Sequence, residues 1–183
     1  MARLAGLVLA GGGSCRMGRD KAALNAKGKT LAALMMDKLR AASCDPVLLA
    51  GPGGVQDIYP GKGPLAGIHA AIDHVAGAQD LLIVPVDMPE LCISSLRTLG
   101  GAEGAAVFYK GHSLPLKLRV SAGLRHKLEG ILRADDADLS VRAFVGAVHG
   151  RALPVQEGAQ RQWTNINTPA DLARWRAQSE NVS

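Results

Sequence analysis

Short apolar runs alternate along the chain with segments whose apolar residues recur at helical spacing, a pattern that predicts strands alternating with helices around a largely parallel sheet. Leu4 to Leu9 reads as a buried strand. Thr30 stands at an N-cap position before a helix with Leu31, Leu34, Met35 and Leu39 on one face, and Val47-Leu48-Leu49 reads as the next strand. The spacing then predicts a helix over Pro64 to Val75, with proline in its first turn and Leu65, Ile68, Ile72 and Val75 on one stripe. Leu81 to Val84 is apolar at every position, as a strand buried on both faces must be, and it ends at Pro85 and Asp87.

The second half is less regular. Ala105 to Tyr109 and Leu116 to Val120 predict strands around a Lys110-Gly111-His112 turn, and helices are expected from about Ser121 to Arg133 and from Leu139 to Val145. Thr168-Pro169-Ala170-Asp171 is a helix start, with the hydroxyl as N-cap and proline at the first helical position. It leads into a terminal helix that turns Leu172 and Trp175 inward.

Size changes this picture little: 183 residues and 48% apolar side chains suit a single domain with one sizeable core. No stretch approaches the roughly 20 apolar residues that span a bilayer, and a glycine turn at residue 11 interrupts the first apolar run before it can resemble a secretory leader. A cytoplasmic protein without a membrane partner is expected. Cys15, Cys44 and Cys92 are odd in number and form no C-x-x-C pair, so reduced thiols are expected rather than disulfides or zinc. A net charge of +5 suits an anionic ligand, but aromatics are only 3% and no basic block occurs, which argues against nucleic acid. Residues 104 to 151 carry eight Lys and Arg against four acids, either a docking aid for a phosphorylated substrate or a solvated face.

The chemistry concentrates in Leu9-Ala10-Gly11-Gly12-Gly13-Ser14-Cys15-Arg16-Met17-Gly18-Arg19-Asp20-Lys21, directly after the first strand. Glycines let the backbone turn sharply and bring N–H groups close to an anion, and Arg16 and Lys21 can meet phosphate oxygens. A nucleotide is the implied ligand. Gly13 to Gly18 has the spacing of a P-loop, but Arg19 and Asp20 stand where lysine and a hydroxyl residue are needed. A dinucleotide fingerprint fails as well, because Arg16 occupies the third glycine position.

This segment, L-A-G-G-x-S-x-R-M-G-x-D-K, is similar to the first motif of the molybdenum cofactor guanylyltransferase (MobA) family, a branch of the nucleotide-diphospho-sugar transferase-like nucleotidyltransferases. Three further segments resemble the same family in the same order: Gly63-Pro64-Leu65-Ala66-Gly67, Pro85-Val86-Asp87-Met88-Pro89 and Thr164-Asn165-Ile166-Asn167-Thr168-Pro169. The resemblance implies a three-layer α/β/α fold with a mostly parallel, Rossmann-like sheet. It implies GMP transfer from GTP to the phosphate of molybdopterin or molybdenum cofactor, with release of pyrophosphate. Leu9, Ala10, Gly11, Gly12, Gly13, Lys21 and Asp87 would bind the nucleotide, Arg16, Lys21 and Asp87 would be catalytic, and Asp87 would hold Mg²⁺. The other reading of Asp87 is a turn former before Met88-Pro89. Asn165 and Asn167 match positions on the pterin side of the cleft, or else shape the turn before Thr168. Other cofactor-biosynthesis proteins and acceptor apo-enzymes are the further partners implied.

L-A-G-G sides with GTP, whereas the related cytidylyltransferases look like L-A-A-G. A CTP-dependent molybdopterin cytidylyltransferase, or another sugar-phosphate nucleotidyltransferase, is the competing enzyme on this scaffold. A catalytically inactive nucleotide-binding regulator is a third possibility, suggested by the segment from Gly51 to Lys62. That segment is short where the family has a strand ending in an acid, and its one acid, Asp57, sits too early to match. Where the family tends to show His-Pro, this chain has His112-Ser113-Leu114-Pro115, which makes His112 a weak site candidate. His69, His74, His126 and His149 read as surface or packing residues.

Overall fold

A computed structural model describes residues 3–10, 25–26, 28–75, 77–156, 158 and 160–180. Six strands form one sheet: β1 (Leu4–Leu9), β4 (Val47–Ala50), β5 (Asp80–Pro85), β6 (Ala106–Tyr109), β7 (His112–Arg119) and β8 (Arg151–Leu153), while β2 (Asn25–Ala26) and β3 (Lys29–Thr30) make a separate hairpin. The sheet order is β4-β1-β5-β7-β6-β8. β1 runs parallel to both β4 and β5, β7 is antiparallel to its two neighbours, and β8 is parallel to β6. One reversed strand in an otherwise parallel sheet agrees with the expected mostly parallel α/β architecture.

Alternation along the strands divides the core between two faces. Val8, Leu82, Val84 and Val107 pack under α1 (Leu31–Ala41), α3 (Ile93–Gly101) and α6 (Pro169–Glu180). Leu7, Leu9, Leu81, Ile83, Leu116 and Leu118 pack under α2 (Pro64–Ile72), α4 (Ala122–Arg133) and α5 (Val141–Ala147). Successive residues point to opposite sides of a strand, so each apolar run must be covered twice, which gives the three layers.

Thr30 caps its helix as the sequence predicts, and Ser121 and Ser140, which the sequence pattern places inside their helices, prove to be caps as well. The hydroxyls of Thr30, Ser121 and Ser140 accept from the N–H groups of Ala33, Leu124 and Ala143, each at 3.1 Å. α2 stops at Ile72, three residues short of the expected end, and Val75 is buried in the turn that follows. β7 begins four residues earlier than expected and takes in Pro115. The pairing of β7 with β5 extends only from Arg119 to Leu116, and its register with β6 shifts between Phe108 and Tyr109, so the proline's missing N–H falls where the ladder is interrupted. Neither α3 nor β8 follows from apolar periodicity. The first is short, ends in two glycines and buries only Ser95, Leu96 and Leu99, and the second is three residues on the sheet edge.

Candidate active site

The parallel strands deliver their carboxyl ends to one edge of the sheet, where ligands bind in open α/β folds. Leu9 pairs with Ala50 on one side and Pro85 on the other, the N–H of Ala10 donates to the Ala50 carbonyl at 2.8 Å, and that of Val86 donates to the Leu9 carbonyl at 3.0 Å. Ala10, the last described residue before the glycine-rich segment, therefore leaves the sheet between β4 and β5, and half-buried Asp87 lies two residues beyond the β1–β5 register. Leu9 and Ala10 are buried at this edge. Gly11, Gly12, Gly13, Arg16 and Lys21 lie outside the described residues.

Residues far away in sequence converge on the same edge. The Ile166 N–H donates to the Asp87 carbonyl at 2.7 Å, which sets exposed Asn165 and Asn167 beside the end of β5. Asn167 is also where the terminal helix begins to be capped. The Asp171 carboxylate accepts from the N–H groups of Asn167 and Thr168 at 3.1 and 2.9 Å, while the Thr168 hydroxyl accepts from the Asp171 N–H at 3.1 Å. Thr168 and the Asn167 N–H hold the Asp171 carboxyl below the usual range. Asn165 lines a cavity of 460 Å³ with Glu90, Arg161, Asp171, Arg174 and Trp175. Its walls are tied together, because Glu90 accepts from the Trp175 indole and pairs with Arg161 at 3.4 Å.

The Gly63-Pro64-Leu65-Ala66-Gly67 segment explains itself on the opposite face. Gly63, at φ 70°, occupies a backbone region that side chains disfavour, and Pro64 opens α2. A Cβ on Gly67 would lie 2.9 Å from the Ala50 Cβ and 3.4 Å from Leu9 Cδ2, so only glycine lets the helix close onto the strand ends. The same point is 3.6 Å from Asp57 Oδ1. Asp57, set aside from the sequence as too early to match, thus lies against the first turns of α2 at the site edge, and burial raises its pKa. The chain brings it there by anchoring the intervening loop. Tyr59 hydrogen-bonds Glu129 and accepts from Arg133 at 3.1 Å, and its ring meets buried His69 edge-on at 5.4 Å. Spacing alone could not report that anchoring.

Half of the eight cations of residues 104 to 151 have acidic partners. Lys117 and Arg119 pair with Asp80, Arg125 with Asp73, and Arg133 with Glu129. Cys44 is buried and Cys92 exposed, both as free thiols, and Cys15 lies outside the described residues. Among the described residues no helix is long and apolar enough to cross a membrane.

A mostly parallel sheet covered by helices on both faces, with a glycine-opened helix closed onto its strand ends, defines a three-layer α/β protein. Residues 6–151 match the MobA-like NTP transferase domain, and the chain belongs to that family. A protein from Xanthomonas euvesicatoria pv. vesicatoria, named molybdenum cofactor guanylyltransferase, is 34% identical over 174 residues, covering 92% of each chain. One of the same name from Rhizobium meliloti is 35% identical over 191 residues, covering 91% of this chain and 87% of its own. The crystal structure of molybdopterin-guanine dinucleotide biosynthesis protein A from Archaeoglobus fulgidus shares the fold at a TM-score of 0.73 and 20% identity, over 96% of this chain and 98% of that one.

Proposed function

We propose that the chain transfers GMP from GTP to the terminal phosphate of molybdopterin, or of its molybdenum form, and releases pyrophosphate. A phosphate oxygen of the acceptor attacks the α-phosphorus of GTP. The new P–O bond forms as the bond to the bridging oxygen of the leaving pyrophosphate breaks, and no covalent enzyme intermediate is needed. The reading is supported by the register of β1 and β5, whose carboxyl ends, Leu9 and Pro85, are neighbours at one sheet edge just before the glycine-rich segment and Asp87 in sequence. The names of relatives at 34 and 35% identity support the substrates.

In this reading Leu9 and Ala10 lead the main chain into the turn, Gly11, Gly12 and Gly13 present amides to the phosphates, and Arg16 and Lys21 neutralise them. Asp87 would hold Mg²⁺. A half-buried carboxylate just past a strand end suits that ion, which favours oxygen ligands and takes one or two protein carboxylates. When bound, it supplies positive charge against the polyphosphate. Asp57, beside Gly67, serves the donor's base, and Asn165 and Asn167 serve the acceptor side. The work of the protein is to hold two anions in line and offset the charge that develops during transfer.

Pyrophosphate release measured with GTP and with CTP, each with and without molybdopterin and Mg²⁺, tests the proposal. Release that requires GTP, molybdopterin and the metal together is expected. Turnover with CTP alone would make the chain a cytidylyltransferase, and GTP binding without release would make it a nucleotide-binding regulator.

A further inference from the structure

Beside the strand-end cleft stands a ladder of three rings that the proposed reaction does not yet use. Trp163 closes a turn of 3₁₀ helix (Gln160–Trp163), its ring centroid 4.9 Å from that of Tyr109. Tyr109 is buried and donates its hydroxyl to the Ser95 carbonyl at 2.8 Å, which roots the ladder in the core. On Trp163 the His112 imidazole lies 4.5 Å away and 19° from parallel. The buried indole N–H of Trp163 meets no acceptor among the described residues, so stacking rather than hydrogen bonding places this indole.

Two observations locate the ladder and its neighbourhood. Trp163 is three residues before Ile166, whose N–H holds the Asp87 carbonyl, and three residues span at most about 11 Å. Half-buried His112 also lines a cavity of 320 Å³ with Phe108, Gly111, Ser113, Arg142 and Val145, within the volume range of small-ligand sites. Among the described residues the cavity sets the apolar Phe108 and Val145 beside an imidazole, a hydroxyl and one guanidinium, a mixed lining suited to a flat polar heterocycle rather than to a polyphosphate.

We propose that this cavity is the acceptor's ring subsite, where the planar, nitrogen-rich heterocycle stacks on the His112 face turned away from Trp163. The inference rests on the function proposed above and deepens it. Stacking a heterocycle on an aromatic side chain contributes enough that His112→Ala should raise the acceptor KM on the order of 10-fold. The GTP KM and kcat should stay within about twofold, because His112 touches neither the donor nor the reacting phosphates. His112→Phe keeps a stacking face and should restore the acceptor KM. An unchanged acceptor KM in His112→Ala, or a His112→Phe variant as impaired as His112→Ala, overturns the proposal. Binding is read separately with 6-hydroxymethylpterin, which should quench tryptophan fluorescence in the wild type but not in Trp163→Phe. Turnover without that quench sinks the ring subsite alone, whereas the quench without GTP-dependent pyrophosphate release sinks the proposed reaction and leaves the subsite standing.

Discussion

At the sheet end opposite the active site, removal of the Asp80 carboxylate should unfold the protein far more readily than removal of its surface partner. Lys117 is 1% exposed and its ammonium has two anchors, Asp80 Oδ1 at 3.4 Å and the Ala102 carbonyl at 2.7 Å. Asp80→Ala leaves that charge with the carbonyl alone, a change that costs about 3–5 kcal/mol when a buried pair loses one member. Arg119 also reaches Asp80, at 3.3 Å, but its side chain is 55% exposed. Arg119→Ala should therefore cost at most about 1 kcal/mol. Lys117→Met should fall between them, since Asp80 keeps Arg119, and the double variant Asp80→Leu/Lys117→Met should recover most of the loss because no charge remains buried. Urea denaturation with two-state fitting gives the four values, and the Asp80→Ala cost corresponds to a fall in Tm of roughly 6–20 °C for a chain of this length. Equal losses for Asp80→Ala and Arg119→Ala, or a double variant worse than either buried single, would refute the assignment of the loss to an unpaired buried charge.

Three further outcomes are expected. Asp87→Asn should lower metal-dependent turnover by on the order of 10²–10³ while leaving the circular dichroism and Tm of the wild type, and near-normal activity would remove Asp87 from the site. Gly67→Ala should cost about 1–3 kcal/mol by overpacking against Ala50 and Leu9, and should raise the GTP KM more than the acceptor KM, as steady-state titrations of each substrate will show. Burial pushes the Cys44 thiol up to about 12 from 9.0, so between those values the unfolded chain loses a proton that the native chain keeps. Stability should therefore fall as pH rises above 9, by about 1.4 kcal/mol at pH 10, and denaturation of Cys44→Ala at pH 8 and 10 should lack that component.

Much of this was legible in the chain itself. β1, β4 and β5, and the helices α1 and α2, are written in continuous apolar runs and helical stripes, because a strand covered on both faces and a helix covered on one leave different periods. The glycine-rich segment and Asp87 stand out in the sequence as the proposed phosphate and metal groups, of which Asp87 is seen just beyond β5 and the glycines lie outside the described residues. The capping hydroxyls of Thr30 and Thr168 act locally and showed at once. Other features are absent from any local pattern. α3 and β8 exist because the sheet faces and edge offer them cover, and β7 admits Pro115 only because its pairing lapses there. Asp57 reaches the site through Tyr59's anchorage on α4, Lys117 finds Asp80 across neighbouring strands, and Ile166 closes on Asp87 from 79 residues away. Sequence determined which groups the protein owns and the elements that carry them, because those follow from short-range sterics and burial. Tertiary structure alone decided which groups meet, because contact between distant segments depends on how the whole core closes.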